Sequence, residues 1–175
     1  KKNIFWNLLS VGRLTLQKNH ELTILAISRL VKHHNITNLR LKIVGDGDLK
    51  IKLLKMIKSL KLEKYVKIMG NLNPHNLLKK SDIYISSSLY EGMPNSLLEM
   101  ICYKKVIIST KCKTGPKEVL KNGKYGILIE QNNLLELTSA ILKVIKNYDK
   151  YQKNFEIDQQ HLKKFNSNYI FQKYE

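Results

Sequence analysis

Short apolar runs alternate with amphipathic stretches along this chain. Runs rich in Ile, Val and Leu predict six strands, over residues 5–11, 41–44, 66–69, 83–86, 106–109 and 126–129. Between them, apolar residues recur every three or four positions, which predicts helices over residues 21–32, 49–60, 95–103, 117–120 and 134–145 and a short one after Pro74. Strands that alternate with helices across short Gly, Pro and Asn turns are typical of a parallel sheet covered on both faces. The pattern therefore predicts an α/β fold with a doubly wound parallel sheet.

The chain of 175 residues is long enough for one domain with a real core and too short for two. No stretch approaches the roughly 18 to 20 uncharged apolar residues that span a bilayer. The start has neither a signal-peptide cleavage site nor an initiator Met, so we expect a piece of a longer, cytoplasmic protein. Cys102 and Cys112 have no disulfide or metal-ligand spacing. We expect Cys102 to be a buried thiol in a reducing, cytosolic environment.

The formal net charge of +17 raises the question of a nucleic-acid partner. Only three of the 31 basic residues are Arg, although Arg makes most base-edge contacts and bidentate phosphate contacts. The lysines are spread over every predicted helix and turn, so we interpret them as solvated surface residues and expect no nucleic-acid partner. A second interpretation is attraction to an anionic membrane, which would place the protein peripherally on the inner face of the cell membrane.

Each distinctive polar cluster follows a predicted strand. The clusters are Gly12-Arg13 with Lys18, the turn 45–47, the turn 91–95 and the turn 114–116. Ligands of doubly wound sheets bind beyond the carboxyl ends of the strands, and these turns would meet along that edge. Taken alone, the turn 45–47 is a generic one, and we expect Asp48 to cap the helix that follows it.

Two carboxylates flank the start of the helix after the fourth strand. Glu91 lies in the turn and Glu99 about one helical turn inside the helix, and between them lie the free N–H groups of the helix start, which favour an anion. Glu99 could accept hydrogen bonds from two vicinal hydroxyls, or could complete a capping arrangement with Asn95 or Ser96, and both interpretations stay open. Glu91 has no obvious cationic partner, which favours a functional role.

The turn after the first strand supplies cations at the same edge. Gly12 allows close approach of a backbone, Arg13 is a fixed cation, and Lys18 lies just before the next helix. Two cations near a helix N-terminus suit a diphosphate, whose charge grows when it becomes a leaving group. The alternative is an ordinary turn with two solvated charges. Together with the two carboxylates, these groups suit a ligand that has hydroxyls and phosphates, and a nucleotide-sugar is such a ligand.

Other common chemistries have no support in the sequence. There is no G-x-x-x-x-G-K-[ST] loop, and no G-x-G-x-x-G follows the first strand. The five histidines have no metal-ligand spacing, and no Ser/His/Asp order or nucleophile elbow can be assembled. We therefore expect neither a metal site nor a cofactor.

The motifs together resemble the donor-binding half of retaining GT-B glycosyltransferases, the glycosyl transferases group 1 (GT4-like) family. The resemblance extends over about residues 5–147, with ordered motifs at residues 11–19, 86–100 and 114–120. It implies a Rossmann-like donor-binding domain over residues 1–147, the C-terminal half of a GT-B fold, with a helical extension over residues 148–175. It also implies a missing N-terminal domain of the same protein that binds the acceptor.

By this resemblance, Arg13 and Lys18 would hold the donor diphosphate and Glu91 would face the donor sugar, so these three are the predicted catalytic residues. Glu99 would take the ribose hydroxyls, and the backbone near Met69 would border the base. The other predicted donor-binding residues are Gly12, Gly92, Met93, Pro94, Asn95, Ser96 and Leu97. The implied reaction is metal-independent transfer of a hexose, with retention, from a nucleotide-diphosphate sugar to a glycan or lipid-linked acceptor. UDP is the expected nucleotide, and the chain alone should bind donor without useful turnover.

Three alternatives remain. A nucleotide-sugar 2-epimerase half would share the fold, although the two carboxylates with Arg13 and Lys18 favour transfer. A flavodoxin-like regulatory module would need an acidic pair after the first strand, where this chain has Gly12-Arg13. A basic nucleic-acid-binding α/β domain would bind polynucleotide with a steep salt dependence, whereas a nucleotide-sugar domain would respond to free UDP or GDP.

Overall fold

The computed structural model describes residues 5–153, 161 and 165, and within them six parallel strands form a sheet in the order β3-β2-β1-β4-β5-β6. The strands are β1 (Trp6–Val11), β2 (Leu39–Val44), β3 (Val66–Ile68), β4 (Ile83–Ser86), β5 (Val106–Thr110) and β6 (Ile127–Ile129). The helices are α1 (His20–His34), α2 (Lys50–Ser59), α3 (His75–Lys80), α4 (Asn95–Cys102), α5 (Pro116–Val119), α6 (Leu134–Lys146) and α7 (Tyr148–Lys153). The sheet confirms the predicted α/β, doubly wound fold.

The strand order reverses at β1. β2 pairs with one edge of β1, with Leu8 opposite Leu41, and β4 pairs with the other edge, with Leu8 opposite Ile83. Such a reversal leaves a crevice at the carboxyl ends of the strands, where open α/β sheets bind ligands. Here the crevice lies between the turns that carry Arg13 and Glu91.

Apolar side chains on both faces bury the sheet between helices. β4 and β5 are buried at every position, as expected for inner strands of a parallel sheet. α1 and α6 pack against each other and bury apolar faces that include Ile24 and Leu30 of α1 and Ile141 of α6. Since each fully buried aliphatic side chain contributes about 1.5 to 3 kcal/mol, this core holds the turns at the carboxyl edge on a rigid framework.

Asp48 does not cap α2, which corrects the prediction. The N-cap residue is Leu49, without a side-chain hydrogen bond. The Lys50 N–H donates to the Gly47 carbonyl at 3.0 Å, so a turn takes up Asp48 and Leu49 before the helix begins. The carboxylate that acts here is Asp46, which accepts from the Gly47 N–H and pairs with Lys50 Nζ, each at 2.8 Å.

The fully buried thiol is Cys112, just after β5, rather than Cys102. Cys102 is half-buried, because it ends α4 and the last turn of a helix is less covered than its middle. Burial raises the pKa of both thiols, so neither is an activated thiolate.

The chain continues into α7 directly after α6. The Tyr148 ring packs against Trp6 with ring centroids 5.0 Å apart, which ties the start of α7 to β1. Of the rest of the predicted extension over residues 148–175, His161 and Phe165 are described and their rings pack at 5.3 Å, while the other residues after 153 lie outside the described part. None of the described helices combines the length and the apolar character that a membrane span requires.

Candidate functional site

The turns after β1 and β2 touch through their backbones at the carboxyl edge of the sheet. A Cβ on Gly45 would lie 2.0 Å from the Gly12 carbonyl oxygen, and Gly45 has a φ of +146°, which side-chain-bearing residues rarely adopt. A Cβ on Gly47 would lie 2.7 Å from the Leu14 carbonyl oxygen. Only glycine permits this approach, so main chain forms the floor of the site.

An open cleft of about 330 Å³ adjoins this floor. Its lining includes Gly12 and Arg13 after β1, Gly45 and Asp46 after β2, and residues from the segment 71–74 after β3. Sequence predicts the first pair at this edge but treats Gly45 and Asp46 as a generic turn. It misses the segment 71–74, whose only signal is its position after a strand.

Met69 lies next to a different cavity. It lines a space of about 370 Å³ together with Arg40, Lys42 and Lys67, and its N–H donates to the Ile43 carbonyl at 2.8 Å. The carbonyl of the next residue, Gly70, accepts from the N–H of Gly45, which lines the first cleft, at 2.9 Å.

An ion pair joins the turns after β1 and β4. Lys18 Nζ lies 2.5 Å from Glu91 Oε1, and only 7% of the Glu91 side chain is exposed. Ser88 Oγ donates to the same carboxylate oxygen at 2.6 Å. The expectation that Glu91 lacks a cationic partner is therefore wrong, because the partner lies 73 residues away in the chain. Ser88 also escapes prediction, since a Ser after a strand is too common to signal a role.

The turn after β5 supports the turn that carries Glu91. Thr114 Oγ1 donates to the Glu91 carbonyl at 2.6 Å. Gly115 approaches so closely that a Cβ there would lie 2.4 Å from the Gly92 carbonyl oxygen. The motif 114–116 thus holds the backbone of Glu91 and Gly92 in place.

Gln17 connects Arg13 to the same turn. The Arg13 Nη2 lies 3.5 Å from Gln17 Oε1, and Gln17 Nε2 donates to the Tyr90 carbonyl at 3.0 Å. The Leu89 N–H donates to the Gln17 carbonyl at 2.8 Å. The structure therefore brings Arg13, which is exposed, next to the turn after β4, as the sequence predicts. Gln17 itself carries no signal in the sequence that distinguishes it from an ordinary polar residue.

α4 begins with an uncapped N-terminus. Pro94 is the N-cap residue, and no side-chain oxygen accepts from the first turn of the helix. Glu99 is the fifth residue of α4, whereas a capping box uses the third. The capping interpretation of Glu99 with Asn95 or Ser96 is therefore wrong. The first-turn N–H groups of Asn95 and Leu97 bond to backbone carbonyls of the same turn, and the helix dipole keeps a partial positive charge at this end of the helix.

The remaining predicted donor-binding residues differ in burial. Met93 and Asn95 are exposed, and their backbones are already linked by a 3.0 Å bond from the Asn95 N–H to the Met93 carbonyl. Leu97 is a core residue, and its N–H donates to the Pro94 carbonyl at 2.9 Å. Gly92 is also exposed, so this turn is open to a ligand at Gly92 and Met93.

A buried histidine supports the turn after β1. His20 Nε2 lies 3.3 Å from the Gly12 carbonyl oxygen, and its Nδ1 lies 3.3 Å from Ser10 Oγ. Burial, together with the nearby charge of Lys18, lowers the pKa of His20 to about 4. The ring is therefore neutral at pH 7, and both bonds form when Nε2–H donates to Gly12 and Nδ1 accepts from Ser10.

Tyr84 is a fully buried tyrosine of β4, beside the turns of the site. Its hydroxyl lies 3.4 Å from the Val11 carbonyl oxygen, at the end of β1. Burial raises the pKa of Tyr84, and the negative charges of Glu91 and Glu99 raise it further. The hydroxyl therefore stays neutral at pH 7 and can donate to the Val11 carbonyl.

The site thus presents both signs of charge along one edge. Arg13, Lys18 and the start of α4 can bind an anion such as a diphosphate, while Glu91 and Glu99 can accept from hydroxyls. Among the residues that the structure describes, no group of three or more His, Cys, Asp or Glu side chains could hold a metal ion.

This fold, with this site at its carboxyl edge, defines a Rossmann-like domain of the GT-B glycosyltransferase class. Residues 2–161 match the family described as Glycosyl transferases group 1. The chain therefore belongs to the group 1 glycosyltransferase family, which confirms the resemblance.

Two curated relatives show the range of the family. One, from Campylobacter jejuni, is named N-acetylgalactosamine-N,N'-diacetylbacillosaminyl-diphospho-undecaprenol 4-alpha-N-acetylgalactosaminyltransferase and is 36% identical over 149 residues, covering 85% of this chain and 39% of the relative. The other, the poly(ribitol-phosphate) alpha-N-acetylglucosaminyltransferase of Staphylococcus aureus, is 30% identical over 138 residues, covering 78% of this chain and 28% of the relative. The chain thus spans well under half of the length of these relatives.

Solved structures share the fold. A mutant of the TarM protein of S. aureus, in complex with fondaparinux, alpha-GlcNAc-glycerol and UDP, is 26% identical with a TM-score of 0.76, covering 93% of this chain and 35% of that one. The C-terminal domain of the group 1 glycosyl transferase LpcC of Francisella tularensis is 18% identical with a TM-score of 0.77, covering 91% of this chain and 85% of that domain. The second match concerns the fold alone.

Proposed function

We propose that the chain is the donor-binding domain of a retaining glycosyltransferase that transfers a hexose from a UDP-sugar to a glycan or lipid-linked acceptor. The observation that carries this proposal is the ion pair between Lys18 and Glu91 near the start of α4, with Arg13 joined to the same turn through Gln17. UDP in the TarM complex supports the choice of nucleotide. The diphospho-undecaprenol-linked substrate in the name of the C. jejuni relative supports the class of acceptor.

Arg13 and Lys18 are proposed to bind the donor diphosphate. An ammonium group has three donors, and Lys18 uses one of them on Glu91, so two are left for phosphate oxygens. When the bond between the anomeric carbon and the diphosphate oxygen breaks, its electrons leave on the diphosphate. The two cations and the helix start then stabilise a larger negative charge than in the ground state, which lowers the barrier without a metal.

Glu91 is proposed to face the donor sugar and Glu99 the ribose. Glu91 Oε1 already accepts from Lys18 and Ser88, whereas Oε2 has no hydrogen bond among the described residues and can accept from a sugar hydroxyl. The partly exposed Glu99 carboxylate forms no ion pair in the part of the chain that is described, so both its oxygens can accept from vicinal hydroxyls. The cleft beside Gly12 and Gly45 leaves room for the rest of the nucleotide.

We assign the acceptor to another domain of the same protein, because the matched relatives extend well beyond the matched region. The described residues supply groups for a diphosphate and for hydroxyls on one edge only. The chain alone is therefore proposed to bind donor without useful transfer.

Thermal unfolding with UDP, GDP, ADP and their sugars tests the proposal. At a ligand concentration about 100 times the Kd, the correct nucleotide should stabilise the chain by about 2.7 kcal/mol. Arg13→Ala and Glu99→Ala should lose most of this gain yet unfold at an unchanged temperature without ligand, since neither side chain is buried.

Matched controls are Arg40→Ala and Glu63→Ala, which remove the same groups from exposed positions outside the cleft and should keep the full response. No response to any nucleotide, or an undiminished response in Arg13→Ala, would contradict the proposal.

A further inference from the structure

Residues 50–67 concentrate positive charge that the donor site does not use. They hold seven of the 31 basic residues of the chain but only one of its 14 acidic residues, Glu63. These residues form α2, the loop that follows it and β3, which is an edge strand of the sheet. These residues therefore carry a local excess of positive charge at one edge of the sheet.

The outward face of α2 combines lysines with exposed aliphatic side chains. Leu53 is buried against the domain, whereas Ile51 is 68% exposed and Leu54 47% exposed. Four exposed residues share one face of the helix, because each lies three or four positions from two of the others: Ile51, Leu54, Lys55 and Lys58. These four residues are referred to below as the α2 surface.

The two lysines of the α2 surface have no carboxylate within ion-pairing distance among residues 5–153, 161 and 165. On the same helix, Lys50 and Lys52 each pair with a carboxylate, at 2.8 and 2.7 Å. Both Lys55 and Lys58 are exposed, so their charge is available to a partner.

We propose that the α2 surface docks on an anionic phospholipid bilayer. Lysines near a membrane are attracted to acidic headgroups, and aliphatic side chains among them gain by burial at the boundary between headgroups and acyl chains. Ile51 and Leu54 would have no comparable partner on a phosphate backbone. The surface also has neither the Arg nor the aromatic residues that bind bases, so a bilayer fits it better than a nucleic acid.

The α2 surface starts close to the floor of the cleft. The Leu49 N–H, just before α2, donates to the Leu14 carbonyl at 2.9 Å, so the first turn of the helix is anchored beside the turn after β1. A bilayer in contact with Ile51 would lie near the carboxyl edge of the sheet. This docking does not depend on donor binding, but the location suits an enzyme whose acceptor is carried by a lipid.

Sedimentation with phospholipid vesicles tests the docking. The 175-residue chain should bind vesicles that contain phosphatidylglycerol and not those of phosphatidylcholine alone. At about fivefold in affinity per lysine, the Lys55→Gln/Lys58→Gln variant should bind on the order of thirtyfold more weakly. Ile51→Ser/Leu54→Ser should also weaken binding, although it keeps every charge.

The matched control is Lys79→Gln/Lys80→Gln, which removes two exposed lysines of α3 and changes the net charge equally. This control should lose less than about threefold, because Lys79 and Lys80 lie on another helix and are not part of the α2 surface. An equal loss in both lysine variants would overturn the proposal, since it would reveal diffuse attraction.

Two further outcomes would overturn the proposal. One is equal binding to both kinds of vesicle. The other is that an oligonucleotide, and not a vesicle, binds through Lys55 and Lys58. The Lys55→Gln/Lys58→Gln variant should keep its full stabilisation by nucleotide, because neither lysine lines the cleft, so failure of the docking and failure of the donor site are distinguishable.

Discussion

Lys18, Glu91 and Ser88 form the best-defined side-chain contact of the site. A buried ion pair contributes little net stability, but removal of one partner leaves the other charge unpaired and is costly. The contact therefore positions Lys18 and joins two turns that are far apart in sequence. We expect the loss of this contact to reduce both ligand affinity and the free energy of unfolding.

Replacement of Lys18 by Met should lower the free energy of unfolding by roughly 3 kcal/mol, because it leaves the buried Glu91 carboxylate without a cation. The Lys18→Met/Glu91→Gln double variant should lose less than the sum of the single losses, since no charge is then unpaired. Urea unfolding of the four proteins measures this coupling. Additive losses would show that the two side chains act independently.

His20 should make stability depend on pH. Burial lowers its pKa in the folded protein to about 4, while the unfolded chain has the ordinary value of 6.5. Between these values the unfolded state binds more protons, so stability falls as the pH drops through this window, by roughly 3 kcal/mol in all. The difference in unfolding free energy between the wild type and His20→Gln should shrink by that amount from pH 7 to pH 4. A constant difference would mean that His20 is protonated equally in both states.

At the residue scale, the sequence is enough to identify site residues whose type is unusual for their local position. Arg13 after a strand, Glu91 before a Gly, and Glu99 one turn into a helix stand out without any knowledge of the fold. Ser88 and Gln17 do not, because their types are common and their roles arise from contacts across the chain. The same reason hides Lys18 as the partner of Glu91.

At the scale of elements, the turns after β1 and β2 depend on glycine. Gly45→Ala would force a Cβ to within 2.0 Å of the Gly12 carbonyl and should separate these turns, at a cost of about 1 to 3 kcal/mol. It should also weaken nucleotide binding at least tenfold, measured by calorimetry. Gly123→Ala is the matched control, since Gly123 has a φ of +95° but no atom near a Cβ. This control should cost only about 1 kcal/mol and leave binding intact.

Should both glycine variants bind nucleotide equally well, close approach of the two turns would not matter to the site. Loss of binding in the control alone would place the site elsewhere in the domain.

The prediction of elements succeeds where the local pattern is strong. β4 and β5 are continuous apolar runs bounded by polar residues, and α6 has a clear period and an Asn133 cap that accepts from the Glu136 N–H at 2.9 Å. It fails where a turn competes with a cap, as at Asp48. The prediction of burial also fails at the end of α4, because the burial of Cys102 depends on neighbouring elements that the sequence does not reveal.

At the scale of the molecule, the convergence of distant turns follows from topology. Because all the described strands are parallel, their carboxyl ends meet at one edge, and sequence suffices to predict that Arg13 and Glu91 lie there. The uneven distribution of charge does not follow in this way. Lysines occur throughout the sequence, and only the exposure of Ile51 and Leu54 among unpaired lysines distinguishes the α2 surface from the rest.

The contact between Gly12 and Gly45 has an evolutionary consequence. Peptide groups, rather than side chains, shape the bottom of the cleft, so substitutions elsewhere in the domain should leave its contour unchanged as long as the glycines remain. A substitution at residue 71 or 72, which line the side of the cleft, can then change the ligand specificity while the backbone floor keeps its shape. One inherited platform could in this way serve many sugars and bases without being rebuilt.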